Sequence, residues 1–315
     1  MARYRPTRIN WGFTLLVAIL LAAAVLITLA DTVDFGGMIP TWDEIFESAE
    51  LRDPLFTDAE CSVHVIDVGQ GDSILIKSPG YSVLIDASEK EYGPEIVDYL
   101  YSQDVSVLDY VVATHPHADH IGGMAYVIEQ MEVRHVIAPQ VPKSITPTSK
   151  AYQNMLTAIK EKGLKITRPE VGEVYELDDG SQFTILGPVE PSTEMNNNSV
   201  VLKFEYGDTS FLFTGDCEAD MEELILDTGA DISADVLKLG HHGSSTSTSD
   251  EWLEAVNPRF GAISCGKDNS YGHPHKETIA KLKQAGVEYY RTDLDGTIIF
   301  ESDGEAIRVL LPDAA

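Results

Sequence analysis

Short apolar runs alternate with polar turns through most of the chain after Cys61. The first three runs cover residues 62–67, 73–77 and 82–86, and they are separated by Gly69-Gln70-Gly71-Asp72 and Ser78-Pro79-Gly80. Runs rich in β-branched residues that end at Gly, Pro and Asp predict strands joined by tight turns. This part of the chain is therefore predicted to be a meander.

Longer runs with helical periodicity then alternate with further short apolar runs. Helices are predicted at 94–103, directly after Gly122-Gly123, and at 150–162, 250–256 and 276–285. Further strands are predicted at 108–113, 182–186, 200–206, 209–213, 236–239, 260–264, 297–300 and 306–310. Sheets interleaved with isolated helices predict a layered α/β domain, in which two sheets pack face to face and helices cover the outer faces.

The N-terminus has a different pattern, because residues 11–30 form an apolar run without a charge and three arginines precede it. About twenty such residues span a membrane as a helix, and the flanking charges place the N-terminus in the cytoplasm. The predicted division is a cytoplasmic N-terminus (1–10), a transmembrane anchor (11–30), a linker (31–60) and an extracytoplasmic domain (61–315). A signal peptide that is cleaved after Thr28-Leu29-Ala30, which would secrete the domain, is the alternative.

Composition excludes several classes of protein. The net charge of -29 over 315 residues argues against a broad face that grips phosphate backbones. The three cysteines show no CxxC spacing, which excludes a disulfide framework and a zinc finger.

The segment 114–123, THPHADHIGG, concentrates the candidate chemistry. Three imidazoles and a carboxylate directly follow a predicted strand, and a loop at a strand end directs such side chains toward one point. Imidazole and carboxylate are ligands for zinc and similar divalent ions. Two later strands also end in potential ligands, Asp216 on one and His241 with His242 on the other. A two-metal hydrolytic site needs donors from more than one loop, so these residues are predicted to join the motif.

These motifs together resemble the metallo-β-lactamase-fold hydrolase superfamily, and within it the hydrolase domain of ComEC-type competence proteins. The resemblance runs from about Cys61 to Val309. It rests on Asp86, the HxHxDH motif, Thr214-Gly215-Asp216 and His241, and on the segments 67–73, 196–202, 241–244 and 271–275. It implies a four-layer αββα sandwich with two divalent metal ions, Zn²⁺ or Mn²⁺.

The resemblance also implies a role for each residue of the site. His115 and His117 would bind the first metal, Asp119, His120 and His241 would bind the second, and Asp216 would bridge the two. Asp86 would orient ligands without binding metal. Many members place a further histidine on the first metal, whereas this chain has only Asn196-Asn197-Asn198 in that region.

Other polar residues near these motifs have two open interpretations. Asp72, Asn197, Asn198, His242 and Ser244 either contact the site and its substrate or only shape their loops. His273 and His275 are predicted catalytic residues together with Asp119, because imidazole can donate to a phosphate oxygen or protonate a leaving group near neutral pH. A purely structural loop is the alternative for both histidines.

The predicted activity is hydrolysis of a phosphodiester, DNA or a smaller nucleotide, by a hydroxide that bridges the two metals. A link to DNA uptake requires a separate channel partner, because one predicted helix cannot form a pore. One alternative is hydrolysis of another extracellular ester or a lactam. The other is a non-catalytic, membrane-anchored component of a DNA-uptake assembly.

Overall fold

The computed structural model describes residues 21–26, 28, 39, 55–177 and 180–312. Most of the predicted anchor and linker lies outside these residues. Residues 21–26 and 28 are helical, and within the described part of the chain no helix has both the length and the apolar character needed to cross a membrane. The chain divides into two units, 1–54 and 55–315, and the second unit contains every element named below.

The eleven predicted strands are confirmed close to their predicted positions, and the described residues form four further strands. In chain order the strands are β1 (Cys61–Val65), β2 (Ile74–Ser78), β3 (Tyr81–Ile85), β4 (Val107–Val112), β5 (Glu132–Ile137), β6 (Ile166–Thr167), β7 (Val174–Glu176), β8 (Gln182–Gly187), β9 (Val201–Tyr206), β10 (Thr209–Phe213), β11 (Val236–Lys238), β12 (Phe260–Ile263), β13 (Glu288–Arg291), β14 (Ile298–Ser302) and β15 (Ile307–Leu310).

The α-helices are α1 (Gly93–Ser102), α2 (Ala118–Ile121), α3 (Met124–Gln130), α4 (Lys150–Glu161), α5 (Ala219–Asp227), α6 (Asp250–Val256), α7 (Lys276–Ala285) and α8 (Thr292–Asp295). Short 3₁₀ turns at Asn196–Asn198 and Gly240–Gly243 lie beside the site described below.

The strands form two sheets. One has the order β15-β14-β1-β2-β3-β4-β5-β6 and the other β13-β12-β11-β10-β9-β8-β7. The predicted meander is confirmed, because β1, β2 and β3 pair antiparallel in sequence order. In the first sheet β3, β4, β5 and β6 are parallel, and in the second β10, β11, β12 and β13 are parallel.

Alternation along the strands builds three buried layers. In β2, Ile74 and Ile76 face the core between the sheets, whereas Leu75 faces the helices over the first sheet. In β10, Phe211 and Phe213 face the same central core, whereas Leu212 faces the helices over the second sheet. Helices α1, α3 and α4 cover one outer face, and α5, α6 and α7 cover the other. The predicted two-sheet α/β sandwich is therefore confirmed.

This topology brings four polar loops to one edge of the sandwich. β3 and β4 are parallel neighbours, so Asp86 and the HxHxDH segment leave the first sheet side by side. β10 and β11 are also parallel neighbours, so Asp216 and the His241-His242 pair leave the second sheet together. Because the carboxyl ends of parallel strands gather their loops, this edge is where a ligand site forms.

Candidate metal centre

The HxHxDH segment places its imidazoles in contact with each other. His115 is fully buried, and its Nε2 lies 3.0 Å from His117 Nδ1. His117 is the N-cap of the one-turn helix α2, which carries Asp119 and His120. The segment therefore directs all four predicted ligands into one small region.

Asp86, the residue after β3, hydrogen bonds to this segment and holds it in place. Its carboxylate accepts the Thr114 backbone N–H at 2.8 Å and the Thr114 hydroxyl at 2.6 Å. Its Oδ2 also lies 2.7 Å from His120 Nδ1. Since Nδ1 is held by Asp86, His120 presents Nε2 to the centre.

Asp216 lies between two groups of donors and offers one oxygen to each. Its Oδ2 is 3.8 Å from His115 Nε2, on the side of His117. Its Oδ1 is 3.2 Å from His120 Nε2 and 3.6 Å from His242 Nε2. The structure thus forms one group of His115, His117 and Asp216, and another of Asp119, His120, Asp216 and His242.

His242 belongs to the second group, where the resemblance had implied His241. Its Nε2 lies 3.4 Å from Asp119 Oδ2, and its Nδ1 lies 3.0 Å from the Ser264 carbonyl and 3.3 Å from Asp72 Oδ1. His241 Nε2 lies 3.8 Å from Asp216 Oδ2, the oxygen that faces His115. The two neighbouring histidines therefore face different sides of Asp216.

Asp72 also forms a buried ion pair with Lys238, the last residue of β11. Lys238 Nζ lies 2.9 Å from Asp72 Oδ2, and each side chain is only 1% exposed. Gly71, at φ +136°, allows this loop to approach the HxHxDH segment, because a Cβ there would come within 2.3 Å of the Asp119 carbonyl oxygen. Asp72 therefore lies beneath the centre and contacts the His242 ring at Nδ1, the nitrogen that points away from Asp216.

The donor atoms fit divalent metal ions. Within the described residues, His120 Nε2, His242 Nε2 and Asp216 Oδ1 are buried and make no hydrogen bond, and all three face the same point. Buried polar atoms without partners are costly, so several that converge on one point indicate a ligand-binding site. Nitrogen and carboxylate oxygen are a donor set for Zn²⁺ and Mn²⁺, and the fit does not choose between the two.

The charge states agree with this assignment. Burial and the charge of His120 lower the pKa of His115 well below its usual value, so this imidazole is neutral. Burial alone would raise the pKa of Asp119, but the imidazoles of His242 and His120 hold it at about 2. For His242, burial is outweighed by the carboxylates of Asp216, Asp119 and Asp72, which raise the pKa to about 9. The surrounding carboxylates thus favour a cation at this point.

The asparagine run and Ser244 contact the walls of the site. Asn198 closes its own loop through Ser192. Asn197 Oδ1 accepts the backbone N–H of Glu218 at 2.9 Å. Ser244 is buried, and its hydroxyl lies 3.1 Å from the Thr246 hydroxyl. The hydrogen bonds of these three side chains therefore go to the loops around the centre.

The centre opens into a cleft of about 340 Å³, and His273 is part of its wall. Burial and the nearby His242 and His241 lower the pKa of His273 to about 4, so its ring is neutral at pH 7. Tyr271, which is 64% exposed, stacks on this ring with centroids 5.6 Å apart. His275 does not line the cleft, and its Nδ1 accepts the Ser245 backbone N–H at 2.9 Å.

Lys238 and Glu218 are among the residues of the site that were not predicted from the sequence. Lys238 interrupts an apolar run of the sequence, Val236-Leu237-Lys238-Leu239. A lysine inside a buried run indicates that an acidic partner is near. Glu218 stands two residues after Asp216, but nothing in its spacing indicates its contact with His241.

Comparisons with known proteins agree with this fold and site. Residues 66–267 match the family described as the metallo-beta-lactamase superfamily. ComE operon protein 3 of Bacillus subtilis is 34% identical over 259 residues, which cover 76% of this chain and 33% of that protein. Competence protein ComA of Neisseria gonorrhoeae is 30% identical over 251 residues, with coverage of 76% and 32%. The chain thus spans about a third of the length of these curated relatives.

Among solved structures, the metallo-beta-lactamase fold protein YhfI of Bacillus subtilis is similar, with a TM-score of 0.50 at 12% identity. The match covers 77% of this chain and all of YhfI. Because the identity is low, it supports the fold alone. Because the family match takes in most of the domain, including the HxHxDH segment, Asp216 and His241-His242, this chain belongs to the metallo-beta-lactamase superfamily.

Proposed function

We propose that this chain is a metal-dependent phosphodiesterase that acts on DNA or smaller nucleotides. The observation that carries the proposal is the position of Asp216, whose two carboxylate oxygens face two separate donor groups. Two divalent ions bound there supply activation of water and neutralisation of phosphate charge.

The residues of the cleft support a phosphate substrate that enters at one point. Among the described residues that line the cleft, none is lysine or arginine. Phosphate charge is therefore balanced at the metal centre and not by a basic groove. His273 contributes a neutral imidazole that can hydrogen bond to a phosphate oxygen, and the exposed face of Tyr271 offers a stacking surface for a nucleobase. The stacking surface favours a single strand over a duplex, because only unpaired bases are free to stack on it.

The proposed setting is the outer surface of a cell membrane, in DNA uptake. The support is the apolar segment 11–30 with its N-terminal arginines, and the similarity to a relative that is named as a competence protein. A separate channel protein is the expected partner. Secretion after cleavage near residue 30 would place the same activity outside the cell without the anchor.

The test is an activity assay of the full chain loaded with Zn²⁺ or Mn²⁺ on bis(p-nitrophenyl) phosphate, a single-stranded oligonucleotide and a lactam. We expect hydrolysis of the first two, which a chelator abolishes and added metal restores. Asp119→Asn should lower kcat by about 100-fold or more, because it removes a charged donor from the second group. Asp98→Asn, which changes an exposed acid on α1, is the matched control and should retain wild-type activity.

Each other outcome has a defined meaning. Cleavage of the lactam but of neither diester would replace the proposal with the alternative of another hydrolytic substrate. Metal-loaded protein that cleaves none of the three would support a non-catalytic, anchored component. Wild-type activity in Asp119→Asn would contradict the two-metal mechanism.

A further inference from the structure

The position of His241 separates it from the donor group of Asp119, His120 and His242. Its Nε2 lies 3.8 Å from Asp216 Oδ2, and His115 Nε2 lies at the same distance from the same oxygen. His241 is 23% exposed, whereas His115 is fully buried, so the two rings approach this oxygen from the open and the closed side of the cleft. The geometry thus places a third imidazole on the side of Asp216 that holds His115 and His117.

The other nitrogen of His241 is held by polar side chains. Its Nδ1 lies 3.2 Å from Glu218 Oε1 and 3.1 Å from the Thr246 hydroxyl. A carboxylate at Nδ1 favours the tautomer whose proton is on Nδ1, which leaves the Nε2 lone pair free for a metal. Asp86 makes the same contact with His120 on the other side of the centre.

Glu218 is in turn fixed by the asparagine run. Its Oε1 accepts the Asn196 side-chain amide at 3.2 Å and the Thr246 hydroxyl at 3.0 Å. Its backbone N–H donates to Asn197 Oδ1 at 2.9 Å. Asn196 and Asn197 thus contact the residue behind His241, in the part of the sequence where a metal-binding histidine was expected.

We propose that His241 is the fourth donor of the site formed by His115, His117 and Asp216, and that Glu218, held by Asn196 and Asn197, is the residue that positions it. The asparagine run then replaces a histidine ligand indirectly. This assignment rests on metal binding at the proposed centre, but it does not depend on the substrate.

The test measures metal binding directly on the full chain, by titration calorimetry with Mn²⁺ and with Zn²⁺ and by metal content after dialysis. Wild-type protein should bind two ions. Glu218→Gln should weaken one binding event by roughly 10- to 100-fold and leave the other unchanged. The matched control is Asp220→Asn, an exposed acid in the first turn of α5, which should keep both affinities.

Double variants identify the site that His241 serves. His241→Ala should bind one ion, and adding His115→Ala to it should cause no further loss. His241→Ala combined with Asp119→Asn should bind none, because each substitution removes a different site. Circular dichroism in chelator checks that each variant is folded, and a Co²⁺ absorption spectrum reports a changed coordination number at one site in Glu218→Gln even where both ions stay bound.

The proposal is overturned if wild type binds a single ion that is lost in Asp119→Asn and retained in His241→Ala. It is also overturned if Glu218→Gln keeps both affinities and the wild-type Co²⁺ spectrum. Because no substrate is involved, two-ion binding without diesterase activity would contradict the proposed function and leave this assignment intact.

Discussion

The geometry of Asp216 depends on the backbone that precedes it. Gly215 has φ +51°, and a Cβ there would come within 3.0 Å of Ser199 and Thr114. The Asp216 backbone N–H donates to the Ser199 hydroxyl at 3.1 Å, and this hydroxyl also lies 3.3 Å from His115 Nδ1. The Ser199 hydroxyl thus links the backbone of Asp216 to the ring of His115 from the other sheet.

His64 provides a test at the level of one residue. It is fully buried on the helix side of β1, between the Tyr99 and Ser62 hydroxyls, and burial followed by the charge of Lys77 lowers its pKa from 6.5 to about 3. Since the unfolded chain binds a proton below pH 6.5 and the native state does not until about pH 3, native stability falls as the pH drops through this window. At pH 5 the loss is about 2 kcal/mol.

Urea unfolding of metal-free protein at pH 7.5 and pH 5 measures this effect. His64→Gln should lose about 2 kcal/mol less than wild type between the two pH values, because glutamine does not titrate. The control is His135→Gln, which changes an exposed ring stacked on Tyr110. An identical pH dependence in wild type and His64→Gln would refute the assigned cause.

At the scale of elements, the sequence was sufficient to locate a strand and its loop wherever a buried strand ended in polar residues. The runs 108–113, 209–213 and 236–239 were recognisable as strands, and their order along one edge follows from parallel pairing. Among the elements that were not predicted are helix α5 and strands β6, β7 and β13. The acidic composition of α5 obscures its apolar stripe, and β13 is an edge strand without a fully buried residue.

The sequence could not show which oxygen of Asp216 His241 faces and which one His242 faces. Both residues have positive φ, at 49° and 55°, so the backbone turns sharply between two rings that share one motif. The alternation of a strand does not apply to such a turn, and spacing alone gives no preference for either ring. Similarly, the asparagine run could be located but its contact with Glu218 could not, because that contact joins two loops distant in sequence.

The Asp72–Lys238 ion pair joins the two sheets and gives a prediction at this scale. Asp72 precedes β2 in the first sheet, and Lys238 ends β11 in the second. Asp72→Asn should lower the free energy of unfolding by about 3 kcal/mol, because it leaves a buried ammonium without its counter-charge. Adding Lys238→Met should recover part of this loss. Urea unfolding in chelator checks both values, and an Asp72→Asn variant as stable as wild type would show that the pair does not hold the sheets together.

For the whole molecule, net charge affects the rate at which a polyanion approaches the cleft. A chain of charge -29, with no lysine or arginine among the described residues that line its cleft, repels DNA at long range. Salt shortens this repulsion, since the Debye length falls from about 30 Å at 0.01 M to about 8 Å at 0.15 M. We therefore expect kcat/KM on a single-stranded oligonucleotide to rise roughly threefold or more over this range.

The comparison substrate is bis(p-nitrophenyl) phosphate, whose single charge should give a much weaker salt dependence. Steady-state kinetics at fixed metal concentration measures both substrates. A fall in kcat/KM with salt on the oligonucleotide would instead indicate that a basic face of the chain captures DNA.

The two donor groups draw on loops from both sheets, between His115 and His242, and this has a consequence for folding kinetics. A metal ion can make its full set of bonds only after the two sheets have docked, so it stabilises the native state more than any earlier state in which one sheet stands alone. Its effect should therefore fall on the unfolding rate and leave the folding rate almost unchanged. Bound metal would then act mainly by prolonging the lifetime of the native state, in which the two sheets are packed together.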